Sequence, residues 1–365
     1  MLKAYKADKI FTGNQWLIDH AIITRDGIIE SVVSRNELDG SIEIENFADN
    51  FLAPAFIDLQ IYGAHGKLLA VYPTADALFA LNDYCTKGGA TLFLPTVATN
   101  SIEVFHQCID AVKVYWQQGG KGVFGLHLEG PWISKEKRGA HIEAFIHYPS
   151  IDEVKTLLAY GDGVIKMITL APEVCSDEVI ECIKSKNIII SAGHSNATYQ
   201  QATTAFDNGV PTATHLYNAM SPLQHREPGM VGAIFNHVKV YSSVIPDGYH
   251  VDYGAIQIAK KIMGGRLFVI TDAVTETSKG AYPHQLERDR YTANGTLSGS
   301  ALTMHKAFYN LVKYVAVDVA EALRMCSLYP AQVLKCDDRY GKIAPGYTEQ
   351  FVVIDNDLNL IKTIV

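Results

Sequence analysis

With 365 residues, 48 % of them hydrophobic and 19 % charged, the chain carries enough apolar material for a large core and no composition typical of a long disordered tail. Its formal charge of −8 argues against a general nucleic-acid or anionic-membrane surface, so an anionic ligand would need a local basic site. The N-terminal residues lack the continuous apolar run of a secretion signal, and no later segment approaches the roughly 20 apolar residues of a membrane span. Six cysteines at 85, 108, 175, 182, 326 and 336 form no C-x-x-C pair and fit reduced core positions, so a cytoplasmic protein is expected.

Residues 1–52 alternate short β-like runs with turn signals such as Thr12-Gly13-Asn14 and Arg25-Asp26-Gly27, which predicts a small β unit. From Phe51 the rhythm changes to apolar runs, each followed by a polar turn and usually a helical pattern, as in βα units. The predicted strands are FIDLQ, TLFLPTV, VFGLHLE, VIKMITLA, IIISAGH, TATHLY, VYSSVIP and RLFVITDA. Eight strands make a closed parallel barrel, so the fold class is α/β, a (β/α)8 TIM-type barrel over 53–339. Ser150 to Glu153 reads as a capping box, Asn208-Gly209 as a helix stop, and Asp318 to Glu321 as the box opening one helix, DVAEALRMCSLYPAQVLK. Residues 340–365 return to short β runs and pair with 1–52 in a small β-sandwich domain built from both termini.

Barrel enzymes place their chemistry at the C-terminal ends of the strands. Glu129, His194, His215, His250 and Asp272 all fall there, and Glu129, His194, His215 and Asp272 follow one another at intervals of 65, 21 and 57 residues. Any one of them alone reads more readily as a satisfied core residue than as part of a site. Four ionisable groups on strands that are otherwise apolar are costly to bury without a metal or a partner, so together they predict a site. Two imidazoles and a carboxylate suit zinc or a similar divalent ion and leave a position for water or substrate.

The segments HLEGPW (127–132), RGAH (138–141), AGHS (192–195), THLYNAM (214–220), REPGMVG (226–232), DGYHVD (247–252), TDA (271–273) and LSGSALTM (297–304) resemble N-acetylglucosamine-6-phosphate deacetylases of the amidohydrolase superfamily. The resemblance runs in consistent order from PAFID near 54 to the end. It implies that Glu129, His194 and His215 hold one divalent ion, zinc first, with iron, cobalt or manganese as alternatives. It also implies that Asp272 is the catalytic acid/base and that His141 assists at the developing oxyanion. Ala140, His141, Asn218, Ala219, Arg226, Asp247, His250, Leu297, Ser298 and Gly299 would contact an amino-sugar phosphate, with Arg226 and His250 on the phosphate. A homodimer with Arg226 near its interface is implied as well. Many amidohydrolases carry His-x-His at the end of the first strand as a second metal site; here Gln60 and Tyr62 stand instead, poor ligands that favour a single ion, with His65 close by as a lesser candidate.

Alternatives remain open at this level: an epimeric N-acetyl-hexosamine 6-phosphate as substrate, a non-catalytic barrel, or a serine hydrolase in which Gly193-His194-Ser195-Asn196-Ala197 approximates a nucleophile elbow. No P-loop, no G-x-G-x-x-G and no basic run interleaved with aromatics occurs, so the partner expected is a small molecule, with no nucleic acid and no membrane.

Overall fold

The structure, a computed structural model, describes residues 2–39, 41–293 and 295–365. Its central sheet has eight strands, β1 (Phe56–Ile61), β2 (Ala90–Ala98), β3 (Leu126–Glu129), β4 (Ile165–Leu170), β5 (Ile189–Ala192), β6 (Thr212–Ala213), β7 (Tyr241–Val244) and β8 (Leu267–Val269), hydrogen-bonded in that order. All eight predicted strands are present. Leu128 lies beside Val97 on one side and Ile168 on the other, in parallel register. The ring closes where Ile61 bridges Ala273, with the Asp272 amide donating to the Gln60 carbonyl at 2.9 Å. Strand β1 is buried along its whole length, Asp58 and Gln60 included, as a strand covered on both faces must be.

Each of the first seven strands is followed by a helix: Ala75–Lys87, Ile102–Gln117, Ile151–Tyr160, Asp177–Ser185, Tyr199–Asp207, Gly229–Asn236 and Tyr253–Met263. After β8 comes a three-stranded antiparallel sheet, Gln285–Glu287, Arg290–Ala293 and Thr296–Ser300, and then the helix Met304–Lys313. The box at Ser150 is half formed. Ser150 Oγ accepts the Glu153 amide at 3.2 Å, but the Glu153 carboxylate turns to Trp132 Nε1 (3.2 Å) and His147 Nε2 (2.8 Å). The single helix expected from Asp318 is two, Val319–Cys326 and Leu328–Val333. Pro330 lacks an N–H and its ring would strike the carbonyl four residues back, so the chain breaks at Ser327.

Strands from both termini form a seven-stranded mixed sheet, in which Leu2–Phe11 runs parallel to Glu43–Pro54 and the latter antiparallel to Phe351–Asp355. The sheet curls around one apolar core of Tyr5, Ile10, Ile22, Ile29, Leu52, Phe351 and Val353, with the Tyr5 and Phe351 rings edge to face at 5.5 Å and Ile28 bridging Thr348. By packing the chain divides into two compact units, one comprising residues up to Ile57 with Cys85–Thr91 and Thr303–Val365, the other Asp58–Tyr84 with Leu92–Leu302. The helices between Met304 and Val333, which the sequence pattern groups with the barrel, fall in the first unit. No described helix is long and apolar enough to cross a membrane, and the six cysteines carry free thiols.

Candidate active site

Every barrel strand delivers a polar side chain at or just past its C-terminal end: Gln60 and Tyr62 from β1, Thr99 from β2, Glu129 from β3, Glu173 from β4, His194 from β5, His215 from β6, Asp247 and His250 from β7, Asp272 from β8. The turns that present them are tight. A Cβ on Gly193, just before His194, would lie 2.8 Å from both Thr169 and Thr214, and one on Gly130 would lie 2.1 Å from Thr99 Oγ1, so glycine is required beside both His194 and Glu129. His194 (φ 47°), His215 (φ 37°) and Asp272 (φ 53°) sit in the left-handed region. Beneath them a buried polar layer joins His127 Nε2 to Thr169 Oγ1 (2.7 Å) and Thr214 Oγ1 to Thr169 and Ser191.

Glu129 Oε1, His194 Nε2 and His215 Nε2 form a triangle with edges of 3.3, 3.2 and 3.1 Å. A tetrahedral ion with bonds of about 2.0–2.1 Å separates its ligand atoms by about 3.3 Å, so the triangle has the dimensions of three ligands on one metal. The His194 tautomer agrees. His194 Nδ1 lies 2.9 Å from the Lys137 carbonyl, which only accepts, so Nδ1 carries the proton and Nε2 turns its lone pair to the triangle. Burial lowers the His215 pKa, which favours the neutral ring, and its Nδ1 is buried without a hydrogen-bond partner among the described residues. The donor set therefore fits a divalent ion.

Two carboxylates share this spot without a lysine or arginine among the residues lining the cleft. Burial alone would raise the Glu129 pKa, but the imidazoles of His194, His141 and His215 packed against its carboxylate hold it well below the usual range. Asp272 goes the other way. Burial, then the charges of Glu129, Asp247 and Asp58, push its carboxyl well above the usual range. Between the two acids stands the β1 pair: Gln60 Nε2 donates to Glu129 Oε1 (2.9 Å) and Asp272 Oδ1 (2.8 Å), and the Tyr62 hydroxyl donates to Glu129 Oε2. Burial and the same two carboxylates raise the Tyr62 pKa, so the phenol stays a donor.

A further ring, His141, also belongs to this cluster: Glu129, His141 and His194 can offer atoms within 4.8 Å of one another. Its hydrogen bonds argue against a ligand. Nε2 faces Glu129 Oε2 at 3.1 Å, and because a carboxylate only accepts, the proton belongs on Nε2; Nδ1 faces the Thr99 hydroxyl at 2.7 Å, which also reaches the Glu129 carbonyl at 3.1 Å. Burial and the neighbouring His194 push the His141 pKa down to about 4, so the ring is a neutral N–H donor at pH 7.

The amidohydrolase family model matches residues 51–365, and the model of the NagA composite domain matches 7–50. The chain belongs to the amidohydrolase family. Among relatives of this amidohydrolase, N-acetylglucosamine-6-phosphate deacetylase of Haemophilus influenzae is 35 % identical over 98 % of this chain and 96 % of its own. N-acetylgalactosamine-6-phosphate deacetylase of Escherichia coli is 32 % identical over 99 % and 97 %. The crystal structure of N-acetylglucosamine-6-phosphate deacetylase from Pasteurella multocida, 33 % identical, superposes with a TM-score of 0.95 over 100 % of this chain and 98 % of that one.

The amidohydrolase cleft is a concave pocket with about 180 Å³ of water-accessible space. Glu129, Ala140, His141, His194, His215, Asn218, Ala219, His250, Asp272, Leu297, Ser298 and Gly299 line it. Two predicted contacts do not. Asp247 stands behind His250, accepting its Nδ1 at 2.6 Å and its amide at 2.8 Å, and Arg226 is exposed in the turn before the helix Gly229–Asn236. His65 pairs with Asp83 at 3.2 Å and does not line the cleft. The serine-hydrolase alternative fails on geometry, since Ser195 is fully buried, absent from the cleft lining, and donates its hydroxyl to Glu173 at 2.7 Å. Sequence reasoning missed Thr99, Tyr282 and His284: Thr99 and Tyr282 belong to no strand-end acid or base pattern, and His284 precedes a hairpin that no periodicity announces.

Proposed function

We propose that this amidohydrolase hydrolyses the acetamide of N-acetylglucosamine 6-phosphate to glucosamine 6-phosphate and acetate. The observation that carries the reading is the ligand triangle of Glu129, His194 and His215 in the same cleft as Asp272. In this reading those three residues hold one divalent ion, zinc before iron, cobalt or manganese, which when bound makes water more acidic and polarises the acetyl carbonyl. Asp272, aimed by Gln60, takes the proton of the attacking water and returns it to the sugar nitrogen as the C–N bond breaks. His141 donates its Nε2–H to the oxygen on which negative charge develops. Gln60 and Tyr62 fill the place of a second pair of ligands, so one ion suffices.

Asp247 holds His250 by Nδ1, leaving Nε2 for the phosphate. A phosphate dianion also calls for a cation, and the cleft lining offers none. Arg226 of a second copy in a homodimer supplies it in this reading, which accounts for its exposure in its own chain. The Escherichia coli relative named for the galactosamine epimer supports a second reading, with that epimer as substrate. Acetate release from both N-acetyl-hexosamine 6-phosphates decides: a higher kcat/KM on the glucosamine form supports the first reading, the reverse order supports the second, and turnover of neither removes both.

A further inference from the structure

Strand β4 brings no acid, base or ligand into the cleft, yet it leads through Ala171 and Pro172 to Glu173, whose carboxylate points at the turn carrying His194. Glu173 Oε2 accepts the Ser195 hydroxyl at 2.7 Å and Oε1 accepts the Asn196 amide at 2.6 Å. The Ser195 hydroxyl in turn accepts the Ala197 amide at 3.1 Å. The same turn is held from two other sides: Ser195 N donates to the Ala219 carbonyl (3.0 Å), and Ser134 N donates to the His194 carbonyl (2.8 Å). His194 itself sits at φ 47°, a conformation that a residue with a Cβ keeps only where its surroundings enforce it.

We propose that Glu173 is the positioning residue for His194, fixing the left-handed turn so that Nε2 meets Glu129 Oε1 and His215 Nε2 at ligand spacing. The inference rests on the reading of His194 as a ligand. Carboxylates that orient a ligand through its ring nitrogen are common; here the ring nitrogen is held by the Lys137 carbonyl, and the carboxylate acts one peptide further on, through the backbone and a serine hydroxyl. Ser195, which looked like a nucleophile in the sequence, is the link in this clamp. Because Ser221 N donates to the Ser195 carbonyl and Ser221 Oγ to the Ala197 carbonyl, the clamp also reaches the segment after His215, so loosening it disturbs two corners of the triangle.

The test is a competition titration of the metal-stripped full-length protein with zinc against a chromophoric chelator, in wild type, Glu173→Gln, Ser195→Ala and His194→Asn. Glu173→Gln keeps an acceptor for Asn196, and Ser195→Ala removes only the two hydrogen bonds of one hydroxyl, to Glu173 and from the Ala197 amide, so both are mild enough to fold. Both are expected to weaken zinc binding by about 10–100-fold, Glu173→Gln more than Ser195→Ala. At saturating zinc their KM for the sugar phosphate should stay within about twofold of wild type. Zinc affinity unchanged in both, with or without a lower melting temperature, overturns the proposal and leaves a merely structural role for Glu173. Should His194→Asn itself hold zinc as tightly as wild type, the ligand assignment falls and takes this inference with it, which separates the two failures.

Discussion

The curled sheet of the termini and the rim of the barrel solve opposite problems in one chain. In the sheet, Tyr5, Ile10, Ile22, Leu52 and Phe351 bury apolar surface against one another, and the left-handed residues of its N-terminal segment are Asp19 and Asp26 between strands and Asp49 within the strand Glu43–Pro54, a type that tolerates that backbone. At the rim the left-handed residues are His194, His215, Tyr217, Ala219 and Asp272, each at a cost of about 1–3 kcal/mol, and two carboxylates are buried beside them. Stability comes from places like the first; the second spends it to hold Glu129, His194, His215 and Asp272 at a fixed spacing.

Four changes would break or sharpen that contrast. Asp272→Asn should lower kcat by about 10²–10⁴-fold while metal content and melting temperature stay near wild type; undiminished turnover would remove Asp272 from its role. In the sheet, Phe351→Ala should do the opposite, costing about 3–5 kcal/mol in denaturant unfolding with kcat and KM nearly unchanged at low temperature. Asp58, on β1, lies between these classes. Burial pushes its pKa up to about 6 although it accepts the Thr271 hydroxyl and amide and the Gln60 amide. A carboxyl whose folded pKa is raised binds its proton more tightly in the folded state, so its contribution is complete below about pH 4 and is lost as pH rises through 6. The stability of wild type relative to Asp58→Asn should therefore fall between pH 4 and 7, by at most about 3 kcal/mol, and a flat difference would refute the shift. Arg226→Ala should have the smallest effect, raising KM for phosphorylated substrate about tenfold with little change in kcat.

The barrel was legible because each strand is a short, mainly apolar run ended by a turn, and the rim because acids and imidazoles stand out against that background. What could not be read was orientation. Gln60 and Tyr62 looked like the absence of a second metal site, whereas the structure has them donating to both Glu129 and Asp272. Asp247 looked like a substrate contact and holds His250 instead. Ser195 had the surroundings of a nucleophile, but its partner Glu173 lies 22 residues away and meets it only because β4 and β5 are neighbours. Long-range partners of this kind carry no local signal. The break at Ser327 was foreseeable from Pro330, a residue that the helical period concealed.

The central claim is that one ion, held by Glu129, His194 and His215 next to a β1 pair that binds none, serves the whole reaction. Elemental analysis of the purified protein, run together with acetate release from N-acetylglucosamine 6-phosphate, tests it most directly. One divalent ion per chain, with ion and turnover lost together in His215→Asn, is the predicted result. Two ions per chain, or full turnover after complete removal of metal, would contradict it.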